Sequence, residues 1–278
     1  MRGPILLCTD MDRTLLPNGE SRESPRARML FGRLCDDPDV TLAYVTGRDT
    51  ARVAAAIHAY DLPMPDHIIA DVGTTITTTG GQRLADWDAR IGKDWEGMQG
   101  ADLQELIGER VGLVLQDASR QGRYKQSYEV HPPGDLAQLA RDVAECLDAA
   151  GCKVTVVPSH DEVAGVGLLD VLPASAGKAP AIAFLQDWLG SAAENLVFAG
   201  DSGNDLDVLA GPWDAVLVAN ASEEVRRQAL SEAERLGHAD RLYLARGGVL
   251  DMNGNYAAGI LEGVLHFHPE WEDVLCDR

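Results

Sequence analysis

Short apolar runs recur along the chain, and between them apolar residues return at the spacing of one helix face. The runs have the length of buried strands and lie at 5–9, 40–45, 68–70, 168–171, 196–199 and 215–218. The helical spacing covers about 25–35, 50–60, 178–189 and 222–236. Strands that alternate with helices favour a parallel sheet covered on both faces, so we predict a doubly wound α/β core.

The middle of the chain, from about residue 84 to 164, is more polar and less regular. Two strand-like stretches at 124–130 and 152–157 flank a helical pattern at 136–149, which Gly134-Asp135 would cap. We therefore predict an inserted α+β cap domain at 85–164, with the core formed by 1–84 plus 165–278.

Length and composition favour a globular protein. The 278 residues are enough for a real core, and 45% of the chain is apolar. No apolar run reaches the about 18 residues that a membrane-spanning helix needs. The start lacks the cleavage site of a signal peptide, so we expect a cytoplasmic protein. Five scattered cysteines without a Cys-x-x-Cys pair argue against a zinc site or a disulfide framework.

The chain is strongly acidic, with a formal net charge of −20. Nucleic acid would be repelled at long range, so we expect no nucleic-acid partner. Only four of the 24 basic residues are lysines, and the others are arginines. Such a surface fits a salt-tolerant host, and a GC-rich genome would favour arginine equally. In either case an anionic ligand must be met by positive charge gathered locally.

Polar clusters follow the predicted strands or open a helix. Asp10, Asp12 and Thr14 come after the first run, Thr46-Gly47-Arg48 after the second, and Gly200–Asp205 after the run at 196–199. Lys178 opens a predicted helix directly after Gly177. Because ligands of open parallel sheets bind beyond the carboxyl ends of the strands, we predict that these clusters meet at one site.

Four carboxylates at that site indicate a metal. Asp10 and Asp12 are two residues apart and face the same way on an extended segment, and Asp201 and Asp205 add further negative charge. Close carboxylates repel one another and need a counter-cation. Oxygen ligands of this kind favour a hard divalent cation, so we predict Mg²⁺ as the cofactor.

The remaining polar residues suit a phosphate. Lys178 supplies a point charge that can hold both a carboxylate and a phosphate oxygen. Thr46 and the Gly47 amide can donate hydrogen bonds to phosphate oxygens.

The four clusters match, in order, the four motifs of the haloacid dehalogenase (HAD) superfamily. An insertion between the second and third motifs is the arrangement of its Cof-like, type IIB branch. Within that branch the chain resembles the sucrose-phosphate phosphatases. Further matching stretches are 71–76, 169–173, 177–178 and 257–260. The resemblance implies a Rossmann-like core and a cap that selects the substrate.

The resemblance also implies roles for the acidic residues. Asp10 would attack phosphorus and form an aspartyl-phosphate intermediate. Asp12 would protonate the leaving sugar oxygen and then deprotonate the water that hydrolyses the intermediate. Asp10, the backbone carbonyl of Asp12, and Asp201 would bind Mg²⁺, with Asp205 holding the site from nearby.

The same resemblance assigns phosphate binding to Thr46, Gly47, Lys178 and Asn204, which would hold the transferring phosphoryl group. The chain departs from the pattern of the branch at Arg13, where Gly is usual. If the backbone there has φ > 0, the arginine costs on the order of 1 kcal/mol.

Three further residues are candidates for contacts with the substrate: Arg48, Lys125 and Asn220. For Arg48, the alternative to a substrate contact is a structural role. Trp87 and Trp95 flank the predicted cap, where they either stack on a sugar or pack in the interior.

The sequence thus predicts a Mg²⁺-dependent phosphatase that acts on a small phosphorylated sugar, with sucrose 6-phosphate as the best single substrate. Glucosylglycerol phosphate and mannosyl- or glucosyl-3-phosphoglycerate are close alternatives. A phosphomutase shares Asp10 and Asp12, and a regulatory subunit would bind sugar phosphate without turnover. We expect a monomer or small homo-oligomer, without a membrane partner.

Overall fold

The computed structural model describes residues 2–132, 134–161 and 165–276, without the side chains of residues 160 and 161. Two β-sheets organise this part of the chain. The strands are β1 (Ile5–Thr9), β2 (Val40–Val45), β3 (His67–Ala70), β4 (Thr75–Thr78), β5 (Leu113–Leu115), β6 (Gln126–Val130), β7 (Val154–Asp161), β8 (Val166–Pro173), β9 (Leu196–Gly200), β10 (Asp214–Leu217) and β11 (Leu242–Leu244).

The α-helices of the described residues are spread over both halves of the chain. They are α1 (Ala27–Cys35), α2 (Thr50–Tyr60), α3 (Ala85–Ile91), α4 (Gly100–Ile107), α5 (Leu136–Ala149), α6 (Lys178–Leu189), α7 (Leu206–Leu209), α8 (Glu223–Leu236), α9 (Ala257–Phe267) and α10 (Glu272–Leu275). Within the described ranges, none of them has the length and apolar character needed to cross a bilayer.

The larger sheet has seven strands in the order β11-β10-β9-β1-β2-β3-β4. Its neighbouring strands run parallel from β11 to β3, and β4 at the edge is antiparallel. The predicted α/β class with a mostly parallel sheet is confirmed. Since β1 lies between β2 and β9, the residues that follow these three strands come to one edge of the sheet.

Side chains alternate across the larger sheet, so β1 contributes to two apolar clusters. Ile5 and Leu7 belong to one cluster, and Leu6 and Cys8 belong to the other. Helices α1, α2, α9 and α10 cover the first face, and α3, α6, α7 and α8 cover the second. Helices therefore lie on both faces, as a doubly wound fold requires.

The smaller sheet is antiparallel, with the order β5-β6-β8-β7. Helices α4 and α5 pack against it around Trp95, Leu103 and Leu147. Trp95 is fully buried in this cluster, and Trp87 is fully buried against the larger sheet. Of the two roles considered for these tryptophans, the structure shows packing.

One strand lies in a different sheet from the one predicted. The prediction that the run 168–171 joins the parallel sheet is wrong, because it forms part of β8 between β6 and β7. A strand with neighbours on both sides gives the same apolar run in either kind of sheet. The predicted domain boundary, at which the core resumes at residue 165, is therefore also wrong: β8 follows that residue and still belongs to the smaller sheet.

The chain enters and leaves the region of the smaller sheet at adjacent points. The Asp94 carboxylate accepts hydrogen bonds from the Ser175 backbone N–H at 2.7 Å and from its hydroxyl at 2.5 Å. Lys153 links the same two segments, since its N–H donates to Asp94 and its carbonyl accepts from Ala174. These bonds hold together the segments at which the chain enters and leaves the smaller sheet.

Candidate active site

The carboxyl ends of β1, β2 and β9 place the predicted clusters together. The Asp10 N–H donates to the Ala199 carbonyl at 2.9 Å, which continues the pairing of β1 with β9 by one residue. Thr46 follows β2 and donates its N–H to the Ile69 carbonyl at 2.8 Å. Because Asp201 follows β9 directly, all three motifs start at the same edge.

Lys178 joins the first and fourth motifs. Its buried Nζ lies 2.9 Å from Asp10 Oδ1, 2.6 Å from Asp205 Oδ1 and 3.0 Å from Asn204 Oδ1. Burial alone would lower the pKa of Lys178, but the charges of Asp10 and Asp205 outweigh it and hold the pKa above its usual range. The lysine is therefore a fixed cation beside Asp10.

Asp205 is held by the loop that contains it. Its Oδ2 accepts from the N–H groups of Asp201 and Ser202, both at 3.2 Å, and from the Ser202 hydroxyl at 3.1 Å. Thr14 Oγ1 donates to Asp201 Oδ1 at 3.1 Å, which ties the first motif to the fourth. The loop geometry is thus fixed by bonds between side chains and backbone.

Three buried carboxylates form the part of the site that could bind a metal. One carboxylate oxygen from each of Asp10, Asp201 and Asp205 lies within 4.8 Å of the others. Burial and the neighbouring carboxylates raise the pKa of Asp10 to about 8, against the lowering effect of Lys178. Burial, followed by Asp205, raises the pKa of Asp201 to about 7. The charged forms are therefore costly without a further cation.

Asp201 Oδ2 is the atom best placed for such a cation. It is buried and accepts no hydrogen bond from the described residues. Arg13 Nε lies 3.4 Å away as an ion pair. An anionic oxygen without a hydrogen-bond donor is a suitable ligand for a hard cation.

The Asp12 carboxylate is directed to Arg48 and lies outside the metal cluster of the described residues. Arg48 Nε and Nη2 donate to Asp12 Oδ2 and Oδ1 at 2.6 and 2.5 Å, and Asn18 Nδ2 donates to Oδ1 at 2.7 Å. Burial would raise the pKa of Asp12, but the bonds and charge of Arg48 outweigh it and lower the pKa. The carboxylate form is therefore the stable one.

Arg13, which stands where the branch usually has Gly, has a positive φ of 61°. Its N–H donates to Asn18 Oδ1 at 2.8 Å, and its carbonyl accepts from Asn220 Nδ2 at 2.6 Å. Asn220 Oδ1 in turn accepts from the Tyr256 N–H at 2.8 Å. Asn220, a candidate for a substrate contact, thus uses both ends of its amide to hold backbone.

Two cavities adjoin this cluster and share Asp12, Arg13 and Asn204 among their walls. The smaller, of about 360 Å³, is lined by Asp10 and by the loop of the second motif. The larger, of about 890 Å³, extends to β7 and β8 of the smaller sheet.

Several lining residues are absent from the sequence predictions. Arg52 lies in α2, four residues after Arg48, and its nearness to the second motif is the signal that could have found it. Arg120 lies between β5 and β6 and has no sequence signal. Lys125, a predicted substrate contact, instead lies 3.6 Å from Asp71 Oδ1 and is not among the residues that line these two cavities.

The parallel sheet, the two carboxylates after its central strand and the lysine that joins Asp10 to the acidic loop define a hydrolase of the HAD superfamily. The chain belongs to the sucrose-6F-phosphate phosphohydrolase family, which matches residues 3–268.

Individual relatives agree with this membership. An HAD-like hydrolase of Nitrosococcus oceani is 48% identical over 273 residues, which cover 97% of this chain and 73% of that protein. Mannosylfructose-phosphate phosphatase of Agrobacterium fabrum is 29% identical over 94% of this chain and 96% of its own. The family shows that the chain is a phosphatase, and the name of the Agrobacterium relative agrees with this.

A solved structure shares the fold. The sucrose-phosphatase of Synechocystis in complex with sucrose and phosphate has a TM-score of 0.74 and 24% identity, covering 95% of this chain and 98% of its own. Both sheets therefore belong to an architecture already seen in a phosphatase.

Proposed function

We propose that the chain is a Mg²⁺-dependent phosphatase that hydrolyses a small phosphorylated sugar through an aspartyl-phosphate intermediate. The observation that carries the proposal is the contact of Asp10 with the buried Lys178, which also binds Asn204 and Asp205. A carboxylate beside a fixed cation at the end of the central strand is placed to meet an incoming phosphate.

In the first step, a carboxylate oxygen of Asp10 attacks phosphorus and the bond from phosphorus to the sugar oxygen breaks. Asp12 gives its proton to the leaving oxygen. Lys178, Asn204, Thr46 and the Gly47 amide hold the phosphoryl oxygens while charge develops on them. The Asp12 carboxylate therefore has to take up a proton, for which Arg48 must release it.

In the second step, water attacks the phosphorus of the aspartyl phosphate, and the bond from phosphorus to the Asp10 oxygen breaks. Asp12 accepts the proton of that water. Free phosphate then leaves, and Asp10 and Asp12 return to their starting states.

Asp10, Asp201 and Asp205 suit Mg²⁺, because they are buried carboxylates in close proximity and Asp201 Oδ2 has no hydrogen-bond donor among the described residues. When bound, Mg²⁺ would neutralise negative charge on the carboxylates and on a phosphate oxygen. Asp205 also holds the backbone of the loop, so Asp10 and Asp201 are the more direct ligands.

The larger cavity supports a sugar as the rest of the substrate. Val157, Pro158 and Leu168 supply apolar surface, and Ser159 and Asn18 supply polar groups. A sugar has an apolar face and a hydroxyl rim, which such a surface can bind. The volume of about 890 Å³ has room for a disaccharide, and the relative named for mannosylfructose phosphate supports a disaccharide phosphate. The family favours sucrose 6-phosphate among these.

A substrate panel with Mg²⁺ tests the proposal. Release of free phosphate is measured from sucrose 6-phosphate, glucosylglycerol phosphate, mannosyl- and glucosyl-3-phosphoglycerate and p-nitrophenyl phosphate. We expect the fastest release from sucrose 6-phosphate, and none from the Asp10→Asn variant. Asp142→Asn, at an exposed position of α5, is the matched control.

Each other outcome has a distinct meaning. Faster phosphate release from another sugar phosphate on the panel would make that compound the proposed substrate and would leave the proposed phosphatase activity unchanged. A product with its phosphate moved along the sugar identifies a mutase. Binding of sucrose 6-phosphate without release of phosphate from any compound contradicts the proposed reaction.

A further inference from the structure

Four arginines line the smaller cavity around Asp10. Three of them have a carboxylate partner: Arg48 pairs with Asp12, Arg13 with Asp201, and Arg52 with Asp49 at 3.3 Å. The fourth, Arg120, is exposed and has no carboxylate partner among the residues that the structure describes.

Arg120 comes from the inserted region, whereas the other three belong to the core. The chain turns back just after it, where the Gly122 N–H donates to the Lys125 carbonyl at 2.9 Å. Lys125 Nζ then lies 3.6 Å from Asp71 Oδ1, and both side chains are largely buried. Asp71 donates its N–H to the Arg48 carbonyl at 2.9 Å, so this ion pair joins the turn to the second motif.

A second ion pair holds the same turn. Arg123 Nη1 lies 3.6 Å from Asp88 Oδ2, and Arg83 donates to both oxygens of Asp88. Arg83 also donates to Thr75 Oγ1 at 3.0 Å, and Thr75 donates to Asp71 Oδ2 at 3.2 Å. The two anchors of the turn are thus connected through the core.

We propose that Arg120 is a substrate-binding residue that binds an oxygen of the phosphoryl group held at Asp10, and that Lys125 and Arg123 are positioning residues for it. This inference rests on the proposed function. A guanidinium matches two oxygens of a phosphate in geometry and charge. In a chain of net charge −20, a cation that lines the cavity of Asp10 and has no carboxylate partner among the described residues supplies the local attraction that an anion needs.

The phosphoryl group is the part of the substrate that Arg120 would bind, because Arg120 shares a cavity with the residues proposed for phosphate. The cavity that Arg120 lines contains Asp10, Thr46 and Gly47, the residues proposed to react with phosphate and to hold it. The larger cavity, proposed for the sugar, is not lined by Arg120. The inserted region would then contribute to phosphate affinity in addition to sugar selection.

Calorimetric binding of inorganic phosphate with Mg²⁺ tests the proposal without depending on turnover. We expect Arg120→Gln to weaken phosphate binding about tenfold or more, as for the loss of a hydrogen bond between charged groups, and Arg120→Lys to restore part of it. Arg141→Gln, an exposed arginine of α5, should bind phosphate as the unmodified protein does. Unchanged binding in Arg120→Gln overturns the proposal.

The positioning role has its own readout. Lys125→Met should weaken phosphate binding, and the double variant with Arg120→Gln should bind no more weakly than Arg120→Gln alone, because both changes remove the same contact. Additive losses contradict the positioning role.

The substrate panel separates this proposal from the proposed function. A loss in Arg120→Gln confined to the phosphoglycerate substrates, with phosphate affinity intact, assigns Arg120 to a carboxylate and overturns the proposal. Absence of turnover in the unmodified protein contradicts the proposed function, whereas phosphate binding still decides the role of Arg120.

Discussion

The Asp12 carboxylate receives two hydrogen bonds from the Arg48 guanidinium, at 2.6 and 2.5 Å. This pair stabilises the proposed acid as its conjugate base, so the resting structure is closer to the state that activates water. The substrate phosphate is an alternative partner for Arg48, and exchange of partners would free Asp12 to take up a proton.

Asp12→Asn should separate the two chemical steps. We expect hydrolysis of the sugar phosphate to fall by about 10²–10⁴-fold, because its poor leaving group needs a proton. With p-nitrophenyl phosphate, whose leaving group needs none, a rapid release of one equivalent of nitrophenol should precede slow turnover. Stopped-flow absorbance measures this burst. Steady turnover at the unmodified rate would exclude Asp12 as the acid and base.

Mg²⁺ should stabilise the fold through the buried carboxylates of Asp10, Asp201 and Asp205. At a concentration 100-fold above its Kd, a ligand raises the free energy of unfolding by about 2.7 kcal/mol. We expect a rise in melting temperature that EDTA reverses. Asp201→Asn should lose most of this rise, and Asp142→Asn should keep it. An equal rise in Asp201→Asn would place the cation elsewhere.

Gly73→Ala should disturb the N-terminus of α6, where Lys178 lies. The residue has a φ of +89°, and an added Cβ would lie 2.1 Å from the Gly177 carbonyl oxygen. Overpacking and positive φ together should cost about 2–4 kcal/mol and lower kcat. Gly81, with a φ of +75° and no atom within 4 Å, is the matched control, and Gly81→Ala should cost only about 1 kcal/mol. Equal costs in urea unfolding would contradict this account.

Lys125→Met should reduce stability in a pH-dependent way. Burial raises the pKa of Asp71, and Lys125 opposes that effect. Without the lysine the pKa of folded Asp71 rises further, so the folded state binds a proton more tightly than the unfolded state. The loss of stability should therefore be small near pH 4 and grow to about 3 kcal/mol near pH 7.

Urea unfolding at several pH values measures this loss. In the Asp71→Asn background the cost of Lys125→Met should not vary with pH over the same range, because the titrating group is absent. A cost that is constant with pH in both backgrounds would show that Asp71 does not depend on Lys125.

The sequence predicts those parts of the site that follow from strand ends. Asp10 and Thr46 stand directly after apolar runs and Asp201 stands one residue beyond its run, and parallel pairing brings such positions together whatever the intervening chain does. The helix at 136–149 is likewise found at its predicted bounds, since its apolar spacing and the Asp135 cap are local features.

Other features depend on contacts between distant segments and leave no local pattern. The pairing of Lys125 with Asp71 is one case, and the placement of Arg120 is another. The strand β4 contains three threonines in four residues, and its polar side chains hide its position at the sheet edge. For β8, the apolar run predicts a strand, and only its partners decide the sheet.

The bonds between Asp94, Lys153 and Ser175 bear on how substrate selectivity could be transferred between related enzymes. In a chimera whose exchange points separate Asp94 from Lys153 and Ser175, the bonding partners would come from two different parent proteins, and these bonds could be lost. Exchange of the whole segment from 94 to 175 keeps these bonds together, and it moves Arg120 with the part of the larger cavity that β7 and β8 line.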